Sequence, residues 1–348
     1  MTTLTYLEAA VVGLVQGVTE LFPISSLGHN VLIPALMGGS WAADLNVAEP
    51  ESPYLAFIVG LHVATAIALL VYFWRDWVRI IGGFFSSLRD RRVETADQRL
   101  AWMIVLATIP VGLVGLVAEH PFRVIFGKPI VAAVFLAVNG LILIAGERYR
   151  SRASLAADKR AAVSRQAELV MAGGRPAFPP GPGLPERGLP ERGQPERGQP
   201  ERDQRERDPE QADAIASDRR VSVVGYGKAI VIGSSQILAL LAGISRDGVT
   251  MVTGMARGLS REDAARFAFL LSTPVILAAG VLKIPDLFGP LGSGIRGQIL
   301  VGSILSGVGA YAAVRFLVRY LRTRTLTPFG IYCLAAGLAS VVYLGFLK

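Results

Sequence analysis

Two short stretches of this 348-residue chain concentrate side chains able to do chemistry. One holds Gln16, Glu20, Ser25, Ser26 and His29; the other holds Gln236, Ser245, Arg246, Asp247 and Thr250. Arg246 carries a fixed positive charge on a planar donor fork suited to bidentate phosphate binding. Gly243 and Gly248 flank it. Glycine lets backbone N–H groups turn toward a ligand, and a helix start beside such a break adds anion affinity. With Ser245 and Thr250 these residues read as a phosphate cradle. The first stretch offers complementary groups: Glu20 as acid–base group or metal ligand, Ser26 as hydroxyl nucleophile, and His29 titrating near neutral pH. Gln16 and Glu20 lie four apart, on one helix face; Ser26 and His29 face together if helix resumes after Pro23.

Blander readings compete. A lone serine in a membrane span usually bonds its own helix, and a buried Glu20 could simply pair with Arg246. His62, inside an apolar span, and His120, in an external loop, read as structural. Glu262, Asp263 and Arg266 read as a solvated helix start. What raises the two stretches above this background is that Glu, Ser, Ser, His and Arg coincide at two equivalent chain breaks.

The elements that carry them follow from composition. Hydrophobic residues make up 52% of the chain and charged residues only 18%, and 15 of the 35 Lys+Arg and 13 of the 27 Asp+Glu fall within residues 147–220. The remainder is too apolar for an ordinary soluble enzyme, a disordered chain or a disulfide-rich domain. It reads as an all-α integral membrane protein. The net charge of +8 does not indicate nucleic acid, because outside 147–220 the arginines sit in short clusters between apolar runs. Cys333 is the single cysteine, which excludes an intrachain disulfide. The first basic residue is Arg75, so no cleaved signal peptide is expected.

Six stretches are long and apolar enough to span a bilayer: 54–74, 101–118, 129–146, 267–287, 297–318 and 328–347. Regions 5–37 and 222–256 are apolar but interrupted midway by Gly, Pro, Ser and charged residues, as re-entrant hairpins lining a cavity are. Arginine clusters at 75–99, 148–152, 257–266 and 315–324 all fall on one side if each re-entrant region enters and leaves by the same face. The loop 38–53 carries Asp44, Glu49 and Glu51 and no Lys or Arg, which suits the outside. Both termini are then outside, and residues 147–220 are cytoplasmic. That segment contains the repeat Pro-Glu-Arg-Gly-Leu/Gln from 185 to 204 and has nothing to pack with, so it is expected to be a disordered linker.

The two interrupted regions align without gaps at an offset of 220. Residues 11–30 read VVGLVQGVTELFPISSLGHN and residues 231–250 read VIGSSQILALLAGISRDGVT, with seven of twenty positions identical. The shared frame is Gly-x-x-Gln-x7-Ile-Ser-x-x-Gly. Each half is then one re-entrant region plus three spans: 1–146 with 5–37, and 221–348 with 222–256. Three is odd, so the halves must be inverted, and inverted repeats bring their broken helices together at a midplane site.

Val15-Gln-Gly-Val-Thr-Glu-Leu-Phe-Pro-Ile-Ser-Ser-Leu-Gly-His29 resembles the first motif of the undecaprenyl-diphosphatase family, the bacitracin-resistance proteins. Ala242-Gly-Ile-Ser-Arg-Asp-Gly-Val-Thr250 is similar to its second, and Ala107-Thr-Ile-Pro110, Phe267-Ala-Phe-Leu-Leu-Ser-Thr-Pro274 and Phe329-Gly-Ile-Tyr332 agree further. The resemblance covers the chain except the linker. It implies hydrolysis of undecaprenyl diphosphate to undecaprenyl phosphate for cell-wall carrier-lipid recycling, with bacitracin resistance as the result. It also implies a multi-pass protein of the bacterial inner (plasma) membrane, a site open to the outside, a divalent cation (Mg2+ or Ca2+), and the bilayer and a homodimer as partners. By position, Ser26 would be the nucleophile, Glu20 with Gln16 would bind metal or move protons, and His29 would assist proton transfer. Arg246, Ser245 and Thr250 would hold the diphosphate, with Ser25, Gly243 and Gly248 completing the site.

Three residues depart from the family pattern. Ala242 stands for a proline, Cys333 stands for an arginine and so removes one cytoplasmic-side charge, and Asp247 stands for a serine beside Arg246. Asp247 adds negative charge where a diphosphate would sit, either as a metal ligand or as an obstacle to binding. Inverted repeats also belong to secondary transporters, so a non-catalytic transporter or flippase of polyprenyl phosphates is the alternative. The nucleophile set favours the enzyme.

Overall fold

The computed structural model describes residues 4–45, 53–126, 128–171, 209–289, 292 and 294–347. Among these residues every regular element is a helix. In chain order they are α1 (Tyr6–Leu21), α2 (Ser26–Met37), α3 (Gly39–Asp44), α4 (Pro53–Tyr72), α5 (Trp74–Asp90), α6 (Ala96–Phe126), α7 (Pro129–Met171), α8 (Pro209–Ser222) and α9 (Tyr226–Ser234). A 3₁₀ turn, Ser235–Leu240, leads to α10 (Arg246–Ala256), α11 (Arg261–Phe288), α12 (Arg296–Thr323) and α13 (Thr327–Val342). The chain divides into two compact units, one of Met1–Arg148 with Ala216–Lys348 and one of Tyr149–Ile215.

Among the described residues five helices are long and apolar enough to cross a membrane: Ala96–Ala118, Pro129–Ala153, Arg261–Lys283, Arg296–Thr323 and Thr327–Phe346. Two bent pairs raise the count to seven if each is one span. Ala56–Tyr72 turns by 84° into Trp74–Asp90, and Gln211–Ser222 turns by 101° into Tyr226–Leu240. Exposed aliphatic residues such as Leu113, Val117, Leu282, Leu300 and Val308 line these helices, as a lipid-facing surface requires. The chain is a multi-pass membrane protein.

The helix starts follow local rules. Thr5 and Glu8 form a reciprocal capping box at α1, with the Thr5 hydroxyl accepting from the Glu8 N–H at 3.2 Å and the Glu8 carboxylate accepting from the Thr5 N–H at 2.8 Å. Gly13 and Gly17 then let α1 lie directly on α12, because a Cβ at either would strike the backbone of Gly302 or Ser306. Gly233 lets α9 press on Ala107 of α6 in the same way. Small residues at such seams are the usual device where no hydrophobic effect drives helices together.

The structure differs from the sequence reading at several places. Residues 75–90, outside the six expected spans, fall in α5, whose Asp76 and Ile80 are buried while Val78, Ile81 and Phe85 are exposed. The segment 147–220, expected to be disordered throughout, is helical at both described ends, through Met171 and from Pro209. Glu147 is buried and accepts from Arg261 at 2.9 Å, and Ser217 and Asp218 are buried. The repeat at 185–204, Glu49 and Glu51 lie outside the described residues. His120 falls in α6 rather than in a loop, and its side chain is likewise outside the description.

Asp263 and Arg266 do not form a solvated helix start. Arg266 bonds Asp218 at 2.8 and 3.1 Å and Asp76 at 2.9 Å, while Arg79 reaches Asp76 and Asp218 at 2.6 Å and Asp97 at 2.8 Å. Asp263 accepts from Ser217 at 2.6 Å and from both ends of the Arg220 fork. Buried charges persist only when paired in this way, and the pairs fasten α5, α6, α8 and α11 to one another.

Candidate active site

Both breaks end in a serine-capped helix start. α1 stops at Leu21 because Pro23 cannot continue it and forces Phe22 into an extended conformation, φ −66° and ψ 139°. Ser25 follows as the N-cap of α2, its hydroxyl accepting from the Gly28 N–H at 3.2 Å. In the second break Ser245 caps α10, its hydroxyl accepting from the Gly248 N–H at 3.1 Å. The repeated Ile-Ser-x-x-Gly frame is therefore a helix start in both halves. Ser26 and Arg246 occupy the same position, the first residue of the capped helix. Ser25 holds φ 68°, a left-handed conformation rarely adopted outside glycine, immediately before Ser26. Gly243 holds φ 109°, and a Cβ there would meet the backbone of Ala132 and Leu136.

The two helix starts converge on one carboxylate. Glu20 is buried at the end of α1, with its side chain 1% exposed. Its Oε1 pairs with Arg246 Nη2, and its Oε2 accepts from Ser26 Oγ and, at 2.8 Å, from Gln16 Nε2. Asn30 donates to Gln16 Oε1 at 2.6 Å, which fixes the amide so that its NH2 faces Glu20. The Arg246 side chain keeps 20% exposure, so the guanidinium is not sealed in by its partner.

His29 lies one turn along α2. Its Nδ1 is 2.7 Å from the Ser25 carbonyl, so this nitrogen donates, and its Nε2 is 2.8 Å from the Tyr332 hydroxyl. The two rings stack with centroids 5.8 Å apart. His62, read from sequence as structural, reaches the site: its Nε2 is 3.3 Å from Gln16 Nε2 and 3.5 Å from Glu20 Oε2. Its Nδ1 is 2.9 Å from the Ile58 carbonyl, which leaves Nε2 for the site. Tyr332 and His62 are the contacts the site residues alone did not announce. Two signals were available: Tyr332 falls within a motif, and His62 is ionisable within an apolar span.

Ser26, Glu20, Gln16 and Arg246 are thus joined directly, and His29 stands beside them. Ser25 and Ser245 serve the backbone as caps, and Thr250 Oγ1 donates to its own helix at the Arg246 carbonyl, 2.7 Å away. Asp247 is buried; it accepts from Ser272, and its other oxygen has no partner. Cys333 is buried beside the first break, its Sγ 3.9 Å from the Pro23 carbonyl and 3.4 Å from Asn139 Nδ2.

The arrangement combines a hydroxyl already bonded to a buried carboxylate, an arginine fork, and two helix starts aimed at the same place. Those are parts of phosphoryl-transfer sites, where positioning and charge neutralisation dominate. A multi-pass helical membrane protein with a serine, a carboxylate and an arginine joined at paired chain breaks is the class these features define. The family model for the bacitracin resistance protein BacA matches residues 9–173 and 204–339, and the chain belongs to that family. It is 56% identical over 341 residues to an undecaprenyl-diphosphatase of Mycolicibacterium paratuberculosis, covering 98% of each chain. It is 52% identical over 341 residues to undecaprenyl-diphosphatase 2 of Frankia alni, covering 97% of each. To undecaprenyl-diphosphatase 2 of Chromobacterium violaceum it is 36% identical over 341 residues, covering 97% of this chain and 98% of the relative.

Proposed function

We propose that the protein is an undecaprenyl-diphosphate phosphatase, releasing inorganic phosphate and leaving undecaprenyl phosphate, and that this activity underlies bacitracin resistance. The observation that carries the reading is the shared carboxylate: Glu20 accepts from Ser26 and pairs with Arg246 at once. Ser26 is the nucleophile, and its proton passes to Glu20 as the hydroxyl oxygen attacks the terminal phosphorus. The bridging P–O bond breaks and the lipid monophosphate leaves; water then attacks the phosphorus of the phosphoseryl ester, the Oγ–P bond breaks as Glu20 returns its proton to Ser26 Oγ, and inorganic phosphate is released. Arg246 turns from Glu20 to the phosphate oxygens, assisted by the N–H groups at the starts of α2 and α10. His29, held by Tyr332, assists proton transfer.

A divalent cation fits this site in one manner. Among the described residues no three His, Cys, Asp or Glu side chains cluster to form a resident cage. Mg2+ in phosphoryl-transfer sites takes one or two carboxylates plus substrate phosphate oxygens. Glu20 would supply one carboxylate through the oxygen that Arg246 leaves when it turns to the phosphate, and Asp247 with its unpartnered oxygen would supply the second. Gln16 turns its NH2 inward and serves as a donor to Glu20 rather than as a ligand. When bound, the cation neutralises charge on the diphosphate.

The reading extends to topology: six spans, two re-entrant hairpins and inverted halves in the inner membrane, with the site open to the outside and 147–220 in the cytoplasm. The capped starts of α2 and α10 support it, as do the ion pairs that join the arginine-cluster regions to one another, Arg79 and Arg266 on Asp218, Arg261 on Glu147 and Arg322 on Glu262. The test is phosphate release from undecaprenyl diphosphate by detergent-purified protein, with divalent metal added or chelated, beside Ser26→Ala and Arg246→Ala. Metal-dependent release lost in both variants is expected. No release from folded wild-type protein overturns the hydrolase in favour of the transporter, and release unaffected by either variant overturns the site.

A further inference from the structure

Asn139 lies on α7, outside both breaks, and is fully buried. Its Nδ2 donates to the Pro23 carbonyl at 2.9 Å, and its Oδ1 accepts from the Ser245 N–H at 3.0 Å. Pro23 is the residue that ends α1 after Glu20 and precedes Ser25 and Ser26. Ser245 is the cap immediately before Arg246. One primary amide therefore satisfies a freed backbone carbonyl of the first break and a freed N–H of the second. Both groups lie where the helix ladder is interrupted, and a buried backbone group without a partner is costly. The breaks touch at the same level, since a Cβ at Gly28 would lie 2.9 Å from the Gly243 Cα.

From this geometry we infer that Asn139 is a positioning residue that sets the register of Ser26 and Glu20 against Arg246. It rests on the phosphatase reading for its catalytic consequence, but not for the tie itself. Asparagine suits the place because one end donates and the other accepts. A side chain with one function could hold only one break. Displacement of about 1 Å between reacting groups lowers rates roughly 100-fold, so an unfixed register acts on turnover before binding.

The experiment compares wild type, Asn139→Leu, Asn139→Asp and, as a control, Met103→Ala, which opens a buried position on α6. Asn139→Ala, which removes both bonds without bulk, replaces the leucine variant if that does not fold. Amide hydrogen exchange of the full-length protein in detergent is read over residues 243–248. Exchange at Ser245 is expected to rise tenfold or more in the leucine variant, to stay near wild type in the aspartate variant, which keeps an acceptor, and to be unmoved in the control. Kinetics on undecaprenyl diphosphate should show kcat lowered roughly 10- to 100-fold in Asn139→Leu with KM within about threefold. Asn139→Asp should recover part of that loss. In the leucine background Arg246→Ala should cost less than in wild type, because the arginine is already displaced. Unchanged exchange at Ser245, multiplicative effects of Asn139→Leu and Arg246→Ala, or an equal loss of kcat in Met103→Ala would each overturn the inference. If wild type releases no phosphate, the hydrolase reading fails while the exchange comparison still decides the tie.

Discussion

Ser26 and Arg246 hold the same position in two matching helix starts, each preceded by a capping serine, and each bonds the carboxylate of Glu20. The internal repeat has thus placed a hydroxyl at one of its copies and a guanidinium at the other. Glu20→Gln should leave Ser26 without its proton acceptor and Arg246 without its counter-charge. We expect a fall in phosphate release of roughly 100-fold or more, the scale of losing one preorganised polar group. Arg246→Lys should not rescue Arg246→Ala, because an ammonium lacks the fork. Steady-state phosphate release checks both.

Tyr332 acts on the site through His29. Tyr332→Phe removes the hydroxyl 2.8 Å from His29 Nε2 but keeps the stacked ring. A loss of about tenfold in kcat is expected, equal to ~1.4 kcal/mol. His29→Ala made in the Tyr332→Phe background should cost clearly less than in wild type, since the two side chains act as one unit.

His62→Ala should lower turnover by about three- to tenfold, the scale of one hydrogen bond of ~1 kcal/mol, since Gln16 loses a neighbour and its hold on Glu20 loosens. His62→Ala matching wild type in kcat and KM would return His62 to the structural role its sequence suggests.

The glycine seam makes a stability prediction. Gly17→Ala drives a Cβ into the Ser306 backbone and should destabilise the protein by about 1–3 kcal/mol. Gly112→Ala, with open space around the added Cβ, should be neutral or slightly stabilising. Thermal unfolding in one detergent compares the pair.

Asp218→Asn should leave Arg266 and Arg79 each short of a buried partner. Breaking a buried ion pair on one side costs about 3–5 kcal/mol, so this variant should unfold well below wild type. Arg92→Ala, whose pairing with Glu94 is exposed on both sides, should not.

Much of the site was legible because its residues are polar in apolar surroundings. Gln16, Glu20, Ser26 and Arg246 stand out from their neighbours, and the offset of 220 pairs the two breaks before any coordinates are considered. The meaning of Ser25 and Ser245 was less visible: a serine followed by glycine three residues later reads equally as ligand or cap, and only the hydrogen bonds decide. His62, Tyr332 and Asn139 were hidden for a different reason. They lie on helices apolar on nearly every face, where periodicity gives no inward direction, and their partners are 46, 303 and 106 residues away. Helix α5 was not among the expected spans because its charged residues interrupt the apolar run, although its apolar residues recur on one face. The buried roles of Asp263 and Arg266 depend on Ser217 and Arg220 for the first and on Asp218 for the second, all residues of the segment expected to be disordered.

The glycine seams cross between the halves. α1, from the first half, lies on α12 of the second, and α9, from the second half, lies on α6 of the first. Each half thus lends its opening helix to the other. During synthesis α1 has no seam to close on until α12 has been made, about 300 residues later in the chain. Glu20 and Ser26 therefore wait in an unfinished structure for most of translation, and the candidate site is among the last parts of the molecule to assemble. A chain cut between residues 172 and 208 should yield two fragments that are each unstable alone and that regain the site only when made together.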